Sequence, residues 1–313
     1  GESGGFTPPA VSAPSYARLQ LMDIPLQEGD VGFGFYTAIS APAPFGGGAV
    51  LESADDATYT ALNSTTTGHV MGSASTALGV FGGGNIPDTI NSVDVVLLRG
   101  ALVTTTTTGL LAGVKLALIG DELVGFRDET LVGPLTYRLS YLLRGRSGTE
   151  WAMHHHSAGE RFVLLPGDFV QLDPSRRGSM RYYKAVTHGL PVTSADAHQM
   201  TLSERSVRPF APVHLAGGVV GDDVILQWMR RARIAGAWMD GTDVLLDEPF
   251  EGYVVQVWDS AYRYCARTEV VIDATTWTYT SAMQIADFGA HQQTIFFTVG
   301  QLGQFGPGTQ AKG

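Results

Sequence analysis

A single cysteine, Cys265, serves all 313 residues, so no internal disulfide can form and the fold must rest on burial and hydrogen bonding. It stands in a strand-like run over 262–271 and is expected to be a buried, inert thiol. Charge is scarce as well: Asp, Glu, Lys and Arg make up 16% of the chain, too little to coat long solvated helices. Basic charge is scarcer still, with 20 Lys and Arg against 30 Asp and Glu, a net charge of -10. A field of that sign repels phosphate and removes the counterion-release attraction behind nucleic-acid binding. Sequence-specific nucleic-acid binding is therefore not expected. No apolar run reaches the roughly 18 to 20 residues of a spanning helix, since the longest, 110–126, is broken by Lys115, Gly120, Asp121 and Glu122. Gly-Lys-Ser/Thr is missing, and Gly300, Gly303, Gly306 and Gly308 follow a strand without opening a helix, which excludes a phosphate loop and a nucleotide cofactor.

Glycine and the apolar residues are abundant, with 39 Gly, 15 Pro and 44% hydrophobic residues. That mixture suits short strands joined by tight turns. The segment 16–23 alternates apolar and polar, and 31–36 sets aromatics on one face and glycines on the other. The glycine clusters 46–48 and 82–84 read as turns, loop tips or close-contact points between subunits. Strands are expected at 93–98, 114–119, 121–126, 137–143, 161–165 and 181–186, with the β-forming threonines 104–108 between the first two. One helical turn is expected near 110–113, and Thr149 is placed as the cap of a short helix running to Met153.

The chain is accordingly read as all-β, in two parts. Residues 1–207 form an antiparallel barrel or sandwich region, divisible near residue 90. Residues 208–313 form a β-sandwich, the boundary falling in the 205–209 stretch RSVRP. The small, polar, Pro-rich opening 1–14 reads as the inside of a longer polypeptide rather than a signal peptide.

Within 209–313, a proline-flanked first strand, a second strand ending at Trp228 and a third led by Tyr253 resemble the fibronectin type III domain. Alternation there buries Trp228, Tyr253 and Val255 between two sheets. Ile295 stands where that family carries its corner tyrosine, and the insert 230–249 is long for it. Upstream, the segments 142–152 (LLRGRSGTEWA), 156–165 (HSAGERFVLL), 19–25 (LQLMDIP) and 121–126 (DELVGF) together resemble the C-terminal portion of the large tail-tip protein, or megatron, of gene transfer agents and related long-tailed phages. The resemblance implies a non-catalytic virion component of the distal tail tip or baseplate, acting in host attachment during DNA delivery. Its expected partners are other copies of itself in a trimer, neighbouring tail hub and baseplate proteins, and a host surface glycan. The alternative from another class is a carbohydrate-binding accessory region of a secreted polysaccharide-degrading enzyme.

The chemical motifs are few. Gly1 to Gly5 satisfies Gly-x-Ser-x-Gly, but a nucleophile elbow at Ser3 needs a strand before it and a helix after it. His154, His155 and His156 are adjacent and cannot all converge on one ion. A metal site there requires one histidine from each of three copies, and a histidine-rich surface turn is the competing reading. No other metal or cofactor is expected. Asp240, Asp243, Asp247, Glu248 and Glu251 make an acidic run without calcium-loop order, preceded by Arg230, Arg231 and Arg233. The two arms are expected to pair with each other or with a neighbouring subunit. Of the five tryptophans, Trp228 is assigned to the core, and Trp151 and Trp238 to surface contact, where an indole face can stack on a sugar ring. The candidate interface is thus Trp151, Trp238, Arg230, Arg231, Arg233, Asp240 and Asp243.

Overall fold

Alternating apolar residues, broken every few positions by glycine or proline, become twenty short strands in the computed structural model, which describes residues 15–234 and 245–313. The chain divides into two units. One comprises the chain up to Asp23 together with Gly34–Ser203, and the other Ile24–Phe33 with Glu204–Gly313.

The first unit opens with β1 (Arg18–Met22), β2 (Gly34–Ser40), β3 (Gly48–Ser53), β4 (Thr60–Thr65), β5 (Met71–Ala74) and β6 (Val93–Leu97). After the short helix α1 (Thr107–Leu111) come β7 (Leu116–Ile119), β8 (Glu122–Gly133), β9 (Thr136–Leu143), β10 (Arg161–Leu164), β11 (Asp168–Gln171), β12 (Met180–Thr187) and β13 (His198–Thr201). Six strands close into an antiparallel barrel in the order β10-β5-β6-β9-β8-β7, leaving those strands no open edge. Two further sheets, β1-β2-β11 and β13-β12-β3-β4, complete the unit. Residue 90 lies between β5 and β6, which pair with each other inside the barrel. Gly72 is needed in that pair because a Cβ there would collide with the Val96 carbonyl.

The barrel core follows the period-2 rule. Val93, Val95 and Leu97 of β6 point inward with Val124 and Phe126 of β8, Tyr137 and Leu139 of β9, and Phe162 of β10, while Asp94 and Val96 turn outward. Three local readings are corrected. The 31–36 segment does not split into an aromatic and a glycine face: β2 starts at Gly34 and is buried on both sides, with Phe35 packed edge-on against Tyr183 at 5.3 Å and Tyr36 against Phe169 at 5.0 Å. Thr104 to Thr108 form no strand; Thr106 instead caps α1, its side chain accepting the Gly109 N–H. A hydroxyl that satisfies an orphan helix donor outweighs β-propensity at that position. Thr149 stands at the N-cap position of a short 3-10 helix that ends at Met153, but its side chain makes no capping bond. Its hydroxyl accepts from the Leu123 N–H and donates to the Arg146 carbonyl, leaving only a 3-10 turn over Glu150–Ala152.

The second unit contains β14 (Val213–Val220), β15 (Asp223–Met229), β16 (Gly252–Trp258), β17 (Cys265–Ile272), β18 (Thr276–Tyr279), helix α2 (Ser281–Phe288), β19 (Phe296–Gly303) and β20 (Gly306–Lys312). A three-stranded sheet β14-β15-β18 faces a four-stranded sheet β17-β16-β19-β20, the fibronectin type III-like sandwich expected from the sequence. Trp228, Tyr253 and Val255 lie between the sheets with Leu226, Val257, Phe297 and Val299. Ile295, at the corner position, packs against the same core. Cys265 is not buried. It is half-exposed on β17, a strand that pairs only with β16, and its thiol meets the Arg267 carbonyl at 3.2 Å.

Candidate functional site

Strand alternation places Glu122 on the same face of β8 as Val124 and Phe126, so its carboxylate opens onto one end of the barrel core. Arg144, immediately after β9, meets it there. The Arg144 Nε and Nη2 donate to Glu122 Oε1 and Oε2, both at 2.8 Å, and Nη1 donates to Asp88 at 3.1 Å and to the Gly79 carbonyl at 2.8 Å. All three side chains are fully buried. Asp88 is held against β9 by a pair of backbone bonds with Leu142, at 2.7 and 3.0 Å. Gly145 adopts φ +58, which turns its N–H onto Glu122 at 2.6 Å.

His156 completes the cluster. Its Nε2 lies 2.7 Å from Glu122 and its Nδ1 2.7 Å from Glu160, with the side chain 2% exposed. An imidazole facing carboxylates at both nitrogens fits best as the doubly protonated cation, which donates at both. Burial opposes that charge, but the bonds to Glu122 and Glu160 outweigh it and raise the His156 pKa above the ordinary 6.5. Glu122 is shifted the other way: burial would raise it, but His156, Arg144 and the Gly145 N–H hold it below the usual carboxylate range. Asp88 behaves alike, burial being overcome by the Asn91 and Ile90 amides and by Arg144. A histidine raised in the fold stabilises fully below its unfolded value and loses that contribution as pH rises through the folded value. The barrel is therefore expected to melt at progressively lower temperature as pH is raised from about 6.5. In His156→Gln that alkaline decline should shrink, the remainder coming from His69, which is raised by Asp168 against the opposing effect of burial. Circular-dichroism melts of both proteins from pH 5 to 9 measure it; identical alkaline slopes would refute the assignment.

Outside the buried cluster, the same loop forms one wall of a surface pocket of ≈260 Å³ lined by Gly120, Asp121, Trp151, Ala152, His155, His156, Glu160 and Arg161. Trp151 keeps 42% of its surface exposed. Arg161 is fixed by the Gly120 and Leu21 carbonyls at 2.6 and 2.9 Å and by Asp121 at 2.7 Å. Glu160 accepts from the Ser157 N–H at 2.8 Å as well as facing His156.

The three adjacent histidines thus separate. His156 is locked in the ion cluster, whereas His154 and His155 are exposed, and among the described residues no group of three or more His, Cys, Asp or Glu is placed to hold a metal ion. In the second unit the described basic residues at the start of the insert pair with acidic residues at and just beyond its end. Arg230 meets Glu251 at 3.1 Å, Arg233 meets Glu248 at 3.3 Å, and Asp247 accepts the Arg233 and Ile234 N–H groups. Burial raises the Glu248 pKa despite Arg233. Arg231 lies over the Phe210 ring at 5.2 Å. Trp238, Asp240 and Asp243, like Ser3, lie outside the described residues.

One grouping carries no signal in the sequence at all. Ser281 Oγ is 2.7 Å from His291 Nε2, and His291 Nδ1 is 4.0 Å from Asp222. The order of parts is that of a serine hydrolase, but the His291 and Asp222 side chains are 45% and 73% exposed, where solvent screens the pairing that such a relay requires.

The fold and this barrel-end cluster define an all-β protein of two modules, one a closed barrel sealed by an ionic plug and the other a fibronectin type III-like sandwich. Residues 69–163, which carry β5 to β9 and nearly all of β10, match the family model described as Rcc01698-like, C-terminal. That match covers less than half of the chain. No curated protein matches it. Among solved structures, the chain is similar to the FN1-FN3 domains of chicken CNTN1 at 9% identity, with 96% of this chain and 97% of that chain covered and a TM-score of 0.24. A likeness of that degree bears on neither fold nor function here.

Proposed function

We propose that this chain is a non-catalytic structural component of the distal tail tip or baseplate of a gene transfer agent or related long-tailed phage, contributing to particle assembly and host-surface attachment. The observation that carries the reading is the plug at the barrel end. Asp88, Glu122, Arg144 and the His156–Glu160 pair come from four separate segments and bind one another, so their charge is used to fix the 144–160 loop rigidly. Rigid presentation of a loop from a closed barrel suits a part that must keep its shape within an assembly. Further support comes from the segments that resemble the megatron, three of which contribute residues to this plug and its loop. The partners would be further copies of the chain in a trimer and neighbouring tail hub and baseplate proteins, in a virion.

Deleting residues 208–313 is expected to abolish particle assembly or host adsorption. Electron microscopy of purified particles should place the full chain at the distal end of a tail in symmetric copies. Normal particles with normal adsorption after the deletion would remove the sandwich from that role. The second reading, a carbohydrate-binding accessory region of a secreted enzyme, is favoured by the exposed Trp151 in a polar pocket. A chain found only as free monomer that binds polysaccharide would select it.

A further inference from the structure

We infer that the ≈260 Å³ pocket beside the plug is a binding subsite for one neutral pyranose ring. The inference deepens the host-contact part of the reading above and rests on it for its biological setting, though the binding itself is a property of the chain alone.

The pocket is smaller than the roughly 300–1,000 Å³ typical of sites for drug-sized ligands, so it admits a single small ring. Its two sides differ in chemistry. Trp151 and Ala152 supply an apolar side, and Asp121, Glu160, Arg161 and His155 a hydrogen-bonding one. A pyranose has the matching asymmetry: a face of C–H groups that packs on an indole, and a rim of hydroxyls that both donate and accept. A flat apolar ligand would leave the polar side without partners. The carboxylates of Asp121 and Glu160 are already paired with Arg161 and His156, so the pocket offers no unpaired cation to an anionic ligand, and the chain's net charge of -10 disfavours its approach.

The polar side is already held in place before any ligand arrives. Arg161 has three anchors, on Gly120, Leu21 and Asp121, and Glu160 is fixed between Ser157 and His156. Trp151 sits on the 3-10 turn Glu150–Ala152, whose first residue follows Thr149, itself tied to β8 through the Leu123 N–H. Groups fixed in advance lose little freedom on binding, which is what permits a shallow site for one sugar ring to bind at all. The plug thereby has a second consequence: His156, at its centre, also lines the pocket.

The test is saturation-transfer NMR of the purified full chain with the methyl glycosides of glucose, galactose, mannose and N-acetylglucosamine, and with methyl glucuronide as the anionic probe. At least one neutral glycoside should bind with a Kd on the order of 1 mM, its ring C–H protons taking most of the saturation, and the glucuronide should bind about tenfold more weakly. Trp151→Ala should weaken the neutral ligand about tenfold, and Trp151→Phe should restore most of it. Because Trp151 is surface-exposed its removal should leave the fold intact, and Asp121→Asn, on the opposite side of the pocket, gives a second variant that should also weaken binding. No saturation of any neutral glycoside, undiminished binding by Trp151→Ala, or preference for the glucuronide would each overturn the inference. Absence of binding by a chain that is nonetheless found at a tail tip would overturn the sugar subsite alone. Binding by a chain found in no particle would support the subsite and remove the tail-tip reading.

Discussion

Arg144→Ala is expected to destabilise the barrel by about 3–5 kcal/mol, the cost of stripping one partner from a buried ion pair. Arg144 is fully buried, as are both of its carboxylate partners, so its removal leaves Asp88 and Glu122 facing one another's field with no strong cation but His156. Water cannot reach them to compensate without opening the barrel end. Arg144→Lys should recover only part of the loss, because an ammonium cannot make the paired contact with Glu122 while also reaching Asp88 and the Gly79 carbonyl. Urea unfolding followed by ¹⁹F NMR of fluorotryptophan-labelled chain measures this directly. Trp151 is the one tryptophan of the five that lies in the first unit, and it reports on the loop that Arg144 anchors. A loss below about 1 kcal/mol, the range of exposed pairs, would mean that the cluster is solvated in solution and that the plug does not hold the loop.

Trp228→Ala should be the most damaging single change in the sandwich, at about 3–5 kcal/mol. Trp228 is 3% exposed and meets Tyr253 edge-on, with ring centroids 5.1 Å apart, in a core otherwise closed by Val224, Leu226, Val257 and Phe297. A ring of that size cannot be deleted between two sheets spaced by their side chains without leaving a cavity. Trp228→Phe keeps an aromatic against Tyr253 and should lose less than half as much. The same ¹⁹F spectra separate the outcome by unit: the resonances of Trp258 and Trp277 should move to lower urea concentration, and that of Trp151 should hold its midpoint. Loss of the Trp151 midpoint as well would mean that the two units unfold as one.

Most of the strands are legible in the order of residues alone. The runs 93–98, 121–126, 137–143 and 224–228 alternate or are continuously apolar over the length of a strand, and each forms one. Where local pattern fails, a specific bond overrides it. The threonine run around Thr106 has high β-propensity, yet one hydroxyl capping Gly109 makes it a helix start. Cys265 reads as a buried thiol from its place in a strand-like run, yet the strand that carries it lies at a sheet edge. The 230–249 insert is legible as oppositely charged arms, and their pairing needs only proximity in sequence.

The candidate site is legible only in pieces. Glu122, Arg144, His156 and Glu160 all stand inside segments singled out for their resemblance, but nothing in the local pattern joins them into one cluster or draws in Asp88. A usable signal is present: Glu122 begins, and Arg144 ends, an apolar run whose alternation carries the charge onto the inward face.

By itself the sequence determined the all-β class and the burial of Trp228, because each depends on composition or on a period that repeats within a few residues. Tertiary structure alone decided that β5 to β10 close into a barrel, that five ionisable groups spread over residues 88–160 converge at its end, and that Asp121, Trp151 and Arg161 share a pocket. Those facts depend on which strands pair and in what register, and a shift of a single residue would turn Glu122 away from Arg144.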